Sequence, residues 1–429
     1  MSASYETSPL TELIRQPDSV TAGTLPDRLG RMLRAIRTFL GMDVAFISEF
    51  TDGQRIFRHV DSDSPGQPVR EGGSDPLEDS YCQRIIDGRL PGVITDAVSD
   101  PEAVKLPVTS ALPVGAHLSV PIRLNDGKLY GTFCCFSFTP DYSLNDRDLA
   151  MMQVFAELAA EQIDDDLVTS RVMADMKTRV KSVLSDDLLS IVYQPIYHVA
   201  HSRVVGFEAL SRFSRAPIRT PDVWFAEAGQ VGLRIPLELK AMKLALQGID
   251  HLPLDIYVSV NLSPETILHG DIMSALSGRP LERIVLEVTE HSATTHYAEI
   301  SALVAPLRDQ GLRIAVDDAG AGYASFRHIL NLAPDIIKLD NSITHKIDAD
   351  RNRWALARAL ISFAEATNAR IVAEGVETAA ELSALRELGV NKAQGYFIGK
   401  PASLEAAVEF VQNHALTGSR KQAIRLVCK

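Results

Sequence analysis

The chain has 429 residues, 46% of them hydrophobic, which is enough for two packed domains and too long for one ordinary core. Its formal net charge is −12. This acidic balance argues against a nucleic-acid polymer or a membrane surface as partner, although a local basic pocket for a small phosphate ligand remains compatible with it.

The cysteines indicate a reducing compartment. Cys82, Cys134, Cys135 and Cys428 show neither CxxC spacing nor the density of a secreted disulfide framework. The amino terminus lacks the basic-then-apolar order of a signal peptide, and no run approaches 18 uninterrupted apolar residues. We therefore expect a soluble, cytoplasmic protein.

The first half of the chain predicts a mixed α+β domain. A polar tail, residues 1–24, precedes a helix pattern near residues 26–40 and an alternating strand at residues 44–50. Later, the turn Asn125-Asp-Gly127 joins two apolar runs, residues 117–124 and 129–138. Two such runs around this type of turn predict an antiparallel hairpin.

A long helix is predicted from about Asn145. Apolar residues recur in it at spacings of three or four, first at Leu149, Met152, Ala156, Ala159, Ile163 and Leu167, then at Met173, Met176, Val180 and Val183. The stripe fits a signalling connector or dimer seam over residues 145–185, and it fits equally a helix whose first half packs on its own sheet.

From Asp186 the pattern changes to repeated strand, loop and helix units. Eight strands are predicted, at residues 190–194, 204–210, 256–262, 284–289, 313–318, 336–340, 370–374 and 392–395. Eight strands with intervening helices predict a TIM-like (β/α)8 barrel, with an open doubly wound sheet as the alternative. The barrel is assigned residues 186–415, and residues 416–429 are a tail.

Polar residues follow the predicted strands at their carboxyl ends, where a barrel builds its active site. They are Gln194, Glu208, Asn261, Glu287, Glu290, Asp317, Asp318, Lys338, Asp340, Glu374, Glu377 and Gln394. Carboxylates that converge without cations repel one another, so metal occupancy is the simpler expectation. Oxygen ligands without converging His or Cys favour Mg²⁺ or Mn²⁺.

Two of these residues suggest a pair of metal ions. Asp317 and Asp318 end the apolar run that begins at Leu312 and stand before a glycine-rich segment. One carboxylate can bridge two ions while its neighbour binds the second, as in two-metal phosphoester chemistry. Lys338 can hold or help to deprotonate an attacking water.

The motifs in this half resemble those of the EAL phosphodiesterases that hydrolyse cyclic di-GMP. Glu208-Ala-Leu210 with Arg212 is the signature that names the family. The resemblance continues in order over about 220 residues, through Asn261-Leu-Ser263, Glu287-Val-Thr-Glu290, Asp317-Asp318, Lys338-Leu-Asp340, Glu374-Gly-Val-Glu377, Gln394-Gly395 and Lys400-Pro401.

The resemblance implies a role for each residue. The metal ligands would be Glu208, Asn261, Glu287, Asp317, Asp318 and Glu374, with Glu208, Lys338 and Glu374 as the catalytic groups. Substrate contacts would come from Gln194, Arg212, Asp340 and Gln394, and Glu290 and Glu377 would steady the loops.

The implied activity is hydrolysis of cyclic di-GMP to linear pGpG with two Mg²⁺ or Mn²⁺ ions, by a homodimer. A catalytically weak receptor for cyclic di-GMP, or a dimeric scaffold, is the alternative. The chain departs from the family where the common sequence Asp-Asp-Phe-Gly-Thr-Gly is replaced by Asp317-Asp-Ala-Gly-Ala-Gly322. The ligands are kept, and two residues that anchor this loop are lost.

Residues 25–165 resemble a GAF sensory domain, which implies a regulatory role. Domains of this family bind cyclic nucleotides, tetrapyrroles, haem or small metabolites, and many serve only as dimerisation modules; the sequence does not select among these. Cys82 is predicted to be a small buried residue, and His117 a core or surface residue, rather than attachment points for a chromophore or metal. Cys134 and Cys135 are adjacent on a strand and should face opposite sides, which disfavours a disulfide between them.

Overall fold

The computed structural model describes residues 24–63, 69–289, 296–319 and 323–417. Contacts between Cα atoms divide the chain into two compact units, Met1–Val172 and Met173–Lys429. The predicted fold class is confirmed, with an antiparallel sheet in the first unit and a closed eight-stranded barrel in the second. None of the helices in the described part of the chain has the length and apolar character needed to cross a lipid bilayer.

The first unit is an α+β domain. Its elements are α1 (Leu25–Leu40), β1 (Val44–Thr51), β2 (Gln54–Ser62), β3 (Ser74–Pro76), α2 (Tyr81–Ile86), β4 (Val93–Ile94), α3 (Pro107–Ala111), β5 (Ala116–Arg123) and β6 (Leu129–Ser137). The strands form one antiparallel sheet in the order β3-β2-β1-β6-β5-β4. The predicted hairpin is β5 and β6, and Gly127 in its turn has a φ of 82°, which suits glycine.

Each face of this sheet carries its own hydrophobic core. Cys135 lies in one core with α1, and Cys134 lies in the other with Cys82. The two neighbouring cysteines therefore face opposite sides, as the strand period requires. Cys82 and His117 are both buried core residues, but Cys82 has polar neighbours. Its Sγ lies 3.5 Å from that of Cys134 and 3.1 Å from a guanidinium nitrogen of Arg55.

Helix α4 (Asp146–Ser185) has 40 residues, which corresponds to about 60 Å. Met152, Ala156, Ala159 and Ile163 of its apolar stripe pack in the core of the first unit, on the domain's own sheet. Val180 and Val183 are buried in a cluster of the second unit, against Phe213 and Trp224. The apolar stripe of α4 therefore packs in the first unit near the amino-terminal end of the helix and in the second unit near its carboxyl-terminal end.

The second unit alternates strands and helices. Its elements are β7 (Leu189–His198), β8 (Arg203–Phe213), α5 (Pro221–Gln230), α6 (Arg234–Gln247), β9 (Tyr257–Leu262), α7 (Pro264–His269), α8 (Ile272–Leu276), β10 (Ile284–Val288), α9 (Tyr297–Arg308), β11 (Arg313–Ala319), α10 (Tyr323–Leu332), β12 (Ile336–Leu339), α11 (Asn341–Thr344), α12 (Arg351–Ala366), β13 (Arg370–Ala373), α13 (Ala379–Glu387), β14 (Lys392–Ala393) and α14 (Leu404–Thr417). All eight predicted strands are present.

The barrel closes in the order β10-β11-β12-β13-β14-β7-β8-β9. Strands β8 to β14 run parallel in chain order, whereas β7 is antiparallel to both of its neighbours, β8 and β14. The reversal follows from the short connection between β7 and β8, since antiparallel strands can be joined by a tight turn and parallel strands cannot. Ile196, Val205, Tyr257, Val285, Ala315, Ile336 and Val372 form an interior layer of the barrel.

The prediction that Gln194 and Glu208 stand at strand ends is wrong. Both lie in the middle of their strands, where they are direct partners in the β7–β8 ladder. The reason is that β7 and β8 form a long antiparallel ribbon, and β8 pairs with the barrel strand β9 only over residues 206–209. Glu208 therefore lies close to the end of the part of β8 that is paired within the parallel barrel.

Candidate active site

The carboxyl ends of the parallel strands bring the predicted polar residues together. Asn261 and Glu287 are the next-to-last residues of β9 and β10, and they face each other in the parallel register. Lys338 has the same position in β12, and Glu374 directly follows β13. Since parallel strands end at the same rim, residues far apart in sequence meet here.

One buried ammonium group lies at the centre of this site. Lys338 is 1% exposed, which makes it one of the largest fully buried side chains of the described residues. Its Nζ lies 2.7 Å from Glu374 Oε1, 2.8 Å from Glu287 Oε2, 3.0 Å from Asp317 Oδ1 and 3.4 Å from Glu208 Oε1. Four carboxylates thus surround a single positive charge.

A bulge in β11 turns both neighbouring aspartates into the site. Adjacent residues of a regular strand point to opposite faces. Here the pairing of β11 with β12 shifts between Val316 and Ala319, and Asp318 takes a φ of 54°. A positive φ is uncommon for a residue other than glycine and costs about 1–3 kcal/mol. The strained bulge explains how Asp317 and Asp318 both reach the carboxylate cluster.

The carboxylates form two overlapping groups that can each hold a cation. Ligand atoms of Glu208, Glu287 and Asp317 lie within 4.8 Å of one another, and so do those of Asp317, Asp318 and Glu374. Asp317 belongs to both groups. The arrangement matches the expectation that one carboxylate bridges two ions, and its all-oxygen donors suit hard divalent cations.

The electrostatics of the site show an excess of negative charge. Burial raises the pKa of Glu287 to about 8, although Lys338 opposes the rise, and repulsion from Glu208 and Asp317 adds to it. Burial likewise raises the pKa of Glu374 well above its usual range. Burial by itself would raise the pKa of Glu208, but the charge of Lys338 and hydrogen bonds from Asn261 and Gln394 outweigh it, and the pKa is lowered overall.

One lysine therefore does not balance these carboxylates. Burying unpaired charge is costly, and either protons or cations must compensate it. Bound divalent cations would supply that compensation.

Amide side chains orient the carboxylate of Glu208. Asn261 Nδ2 donates to Glu208 Oε1 at 2.9 Å, and Gln394 Nε2 donates to Glu208 Oε2 at 2.7 Å. Gln394 Nε2 also donates to Gln194 Oε1 at 3.1 Å, and Gln194 Nε2 donates to the carbonyl of Gly399 at 3.3 Å. Both glutamines are buried, so the structure places them as supports of Glu208 from neighbouring strands.

The other predicted site residues make no hydrogen bond or ion pair with the carboxylate cluster within the described part of the chain. Arg212 is exposed near the end of β8 and donates to the carbonyl of Ser211. Asp340 caps α11 by accepting from the backbone N–H of Ser342. Within the described residues, the exposed carboxylate of Glu377 makes no hydrogen bond or ion pair. Glu290 lies outside the described residues, as do residues 320–322 of the loop that departs from the family at positions 319 and 321.

Sequence reasoning missed a buried glutamate that organises the loop after Glu374. Glu381 is 2% exposed, and its carboxylate accepts from the backbone N–H groups of Lys346, Glu377 and Thr378. The signal was available, because Thr378 and Glu381 form a Thr-x-x-Glu capping box at the start of α13. Glu238 holds the turn after Asn261 in a similar way, through the backbone and hydroxyl of Ser263.

Comparison with known proteins agrees with this geometry. Residues 147–401 match the family model of the EAL domain, and residues 24–163 match that of the GAF domain. The cyclic di-GMP phosphodiesterase NbdA of Pseudomonas aeruginosa is 30% identical over 259 residues, which cover 57% of this chain and 33% of NbdA. The chain spans between about a third and a half of the length of the curated relatives it matches.

Solved structures that resemble this chain include two proteins with bound cyclic di-GMP. The phosphodiesterase PaMucR, in complex with c-di-GMP, has a TM-score of 0.50 at 26% identity and covers 54% of this chain and 99% of its own. The EAL enzyme Bd1971, with cAMP and cyclic di-GMP bound, has a TM-score of 0.54 at 18% identity and covers 86% of this chain and 93% of its own. The second likeness shows the fold alone.

Proposed function

The chain belongs to the EAL-domain family, and from that premise we propose that it hydrolyses cyclic di-GMP to linear pGpG. The observation that carries this proposal is the buried ring of four carboxylates around Lys338, which overlaps two groups of metal-ligating oxygens. We assign the activity to residues 186–415 and a sensory role to residues 25–165.

The residues present fit a pair of Mg²⁺ or Mn²⁺ ions. Glu208, Asn261, Glu287, Asp317, Asp318 and Glu374 would hold them, and Asp317 would be shared. Such ions polarise a phosphodiester and lower the pKa of the attacking water.

The chain's own groups position the reaction. Glu208 is fixed by Asn261 and Gln394, so its carboxylate cannot rotate freely. Lys338, held by the carboxylates, keeps a positive charge at Nζ, which would stabilise negative charge that develops on the reacting phosphate. Arg212, exposed at the rim, is assigned to the substrate phosphate, because a guanidinium binds phosphate oxygens in a bidentate manner.

Hydrolysis is tested with the purified full chain, cyclic di-GMP and either Mg²⁺ or Mn²⁺, by separating the linear product chromatographically. We expect pGpG from the wild type and none from Glu208→Gln. The matched control is Glu409→Gln on the exposed face of α14, which should leave turnover unchanged.

The receptor alternative has one observation in its favour, which is the altered sequence after Asp318. Ala319 is fully buried and pairs with Leu339, so the position that commonly holds an aromatic anchor carries only a methyl group. Calorimetry with cyclic di-GMP and Ca²⁺ measures binding apart from turnover. Binding together with no product under Mg²⁺ and under Mn²⁺ would favour the receptor.

Regulation by the amino-terminal domain is a further part of the proposal. It is supported by α4, a single helix that contributes to the core of each unit. Ser170→Pro interrupts this helix at an exposed position, and Ser170→Ala is its control. If turnover by the two variants is equal, the helix does not transmit regulation.

A homodimer and a cytoplasmic setting are also proposed. The three described cysteines, Cys82, Cys134 and Cys135, are free thiols, which is consistent with a reducing compartment. Sedimentation equilibrium measures the mass in solution, and a monomer at micromolar concentration would contradict the dimer.

A further inference from the structure

A second concave site lies at the end of the barrel opposite the carboxylates. Arg313, Arg370 and Lys392 are the first residues of β11, β13 and β14, and His198 is the last residue of the reversed strand β7. These residues line a cavity of about 640 Å³, and Arg313 and Lys392 also line an adjoining cavity of about 300 Å³. Volumes of this size are typical of sites for small molecules.

The described residues offer no ion-pair partner for the cations that line the larger cavity. Within the described residues, no carboxylate lies within 4.0 Å of the charged nitrogens of Arg313, Arg370 or Lys392. The one acidic residue of the wall, Asp335, is already bound to Arg308 at 2.9 Å and accepts from the backbone N–H of Ile314.

Burial and the excess of positive charge together lower the pKa of Lys392. Burial lowers the pKa of Lys392 to about 8, and the nearby charges of Arg313 and Arg370 lower it further. The chain has a net charge of −12, so this cavity, with a cluster of cations that lack ion-pair partners, is opposite in charge to the protein as a whole.

Tyr257 fixes two of the cations in place. The guanidinium of Arg313 lies 4.6 Å from the centroid of its ring, and the ammonium of Lys392 lies 4.5 Å from the same centroid. Lys392 Nζ also donates to the hydroxyl of Tyr257 at 3.2 Å. The ring is held tightly, because a Cβ at Gly206 would come within 2.6 Å of it. The cations are therefore preorganised, which lowers the entropy cost of binding.

This end of the barrel is separate from the catalytic rim. Tyr257 belongs to the interior apolar layer, which lies between the amino-terminal ends of the strands and the carboxylates around Lys338. Opposite ends of one barrel thus carry opposite charge. An anion excluded by the carboxylate end would be attracted to the basic end.

We propose that this basic cavity binds a small phosphate-bearing anion with at least two negative charges. Two guanidinium groups and an ammonium group match phosphate oxygens in charge and in hydrogen-bond donors. The ligand is a small molecule because the site is a cavity at the end of a barrel rather than an extended basic surface. The site is independent of whether the chain hydrolyses cyclic di-GMP.

The test is calorimetric titration of the full chain with inorganic pyrophosphate, at low salt and without divalent cations, which prevents binding through metal ions at the carboxylate rim. We expect saturable binding to one site per chain. Lys392→Met and Arg370→Gln should each weaken it about tenfold or more, the effect of losing one charge-assisted hydrogen bond. The controls Lys243→Met and Arg358→Gln, on exposed helix positions, should have no effect.

Arg370 is exposed, so Arg370→Gln keeps the test informative if Lys392→Met is unstable. A parallel titration with ADP distinguishes the source of the phosphate. Tighter binding of ADP than of pyrophosphate indicates a nucleotide, and equal or weaker binding indicates a free polyphosphate. The proposal is overturned if pyrophosphate at millimolar concentration gives no saturable binding, or if the double variant Arg370→Gln/Lys392→Met binds as well as the wild type.

Discussion

At the scale of single residues, the site depends on how charges are placed rather than on how many there are. Lys338 touches four carboxylates, and Glu208 has both of its oxygens bound by amides. An isolated buried charge is expensive, but a hydrogen-bonded network in a low-dielectric site is strong. The network therefore holds the side chains of this site in one geometry.

Replacement of the central lysine should affect both activity and metal dependence. We expect Lys338→Met to lower turnover of cyclic di-GMP by about 10²–10³-fold, the usual contribution of a group that stabilises developing charge. The carboxylates lose their internal cation, so the variant should gain more thermal stability from added Mn²⁺ than the wild type does. Lys243→Met serves as the exposed control; an unchanged rate in Lys338→Met would remove the lysine from the mechanism.

His117 predicts a pH dependence of stability in the first unit. Burial lowers its pKa to about 3, and Arg55 adds to the effect; its ring stacks on Tyr81 at 4.6 Å. Between pH 3 and its unfolded value of about 6.5, the unfolded chain binds a proton that the folded chain does not. Stability should therefore fall as pH falls through this window, by at most about 1.4 kcal/mol per pH unit.

Melting curves of the full chain at pH 7 and pH 5 check this expectation. His117→Phe keeps the stacked ring and removes the proton site. The melting temperature of the first unit should therefore shift less with pH in this variant than in the wild type. Equal shifts in both proteins would assign the pH dependence to other groups.

At the scale of elements, strand ends and the turns that follow them set the direction of each ligand. The bulge in β11 aims two aspartates at one site, and the capping box of α13 ties down the segment after Glu374. Gly375 has a φ of 66°, and a Cβ there would collide with the side chain of Asn341. The close approach of α11 to this turn therefore requires glycine.

Alanine substitutions at two glycines distinguish the cost of backbone strain from the cost of a steric collision. Gly389 also has a positive φ, 84°, but a Cβ there would meet no atom within 4 Å. Gly389→Ala should cost about 1 kcal/mol of stability, and Gly375→Ala should cost a further 1–3 kcal/mol or so because of the collision. Urea denaturation measures both. Turnover should fall only in Gly375→Ala, which displaces Glu374; equal turnover in the two variants would show that this turn does not position the ligand.

At the scale of the whole molecule, the two units have separate cores and should respond separately to ligands. Divalent cations that bind only the folded barrel stabilise it by about 2.7 kcal/mol at a concentration 100 times Kd. This corresponds to a rise of about 5–10 °C in the melting temperature of a unit of this size.

Calorimetric scans of the full chain should therefore show one transition that rises with Mn²⁺ and falls back with a chelator. The other transition, from the first unit, should not move. Asp317→Asn removes the carboxylate common to both ligand groups and should reduce the shift strongly. A shift of equal size in Asp317→Asn would place the stabilising ions elsewhere.

Local sequence patterns were enough to predict the fold class, all eight barrel strands, the hairpin of the first unit and the polar residues near the carboxyl ends of β9, β10 and β12. They were enough because strand periodicity is local and because the carboxyl ends of parallel strands converge in any barrel. The spacing of residues along the chain does not predict which side chains meet in space, and the tertiary structure sets these contacts. Gln194 and Glu208 meet in mid-strand because β7 is reversed, Asp317 and Asp318 share a site because β11 bulges, and the basic cavity forms because strand starts far apart in the chain close into one ring.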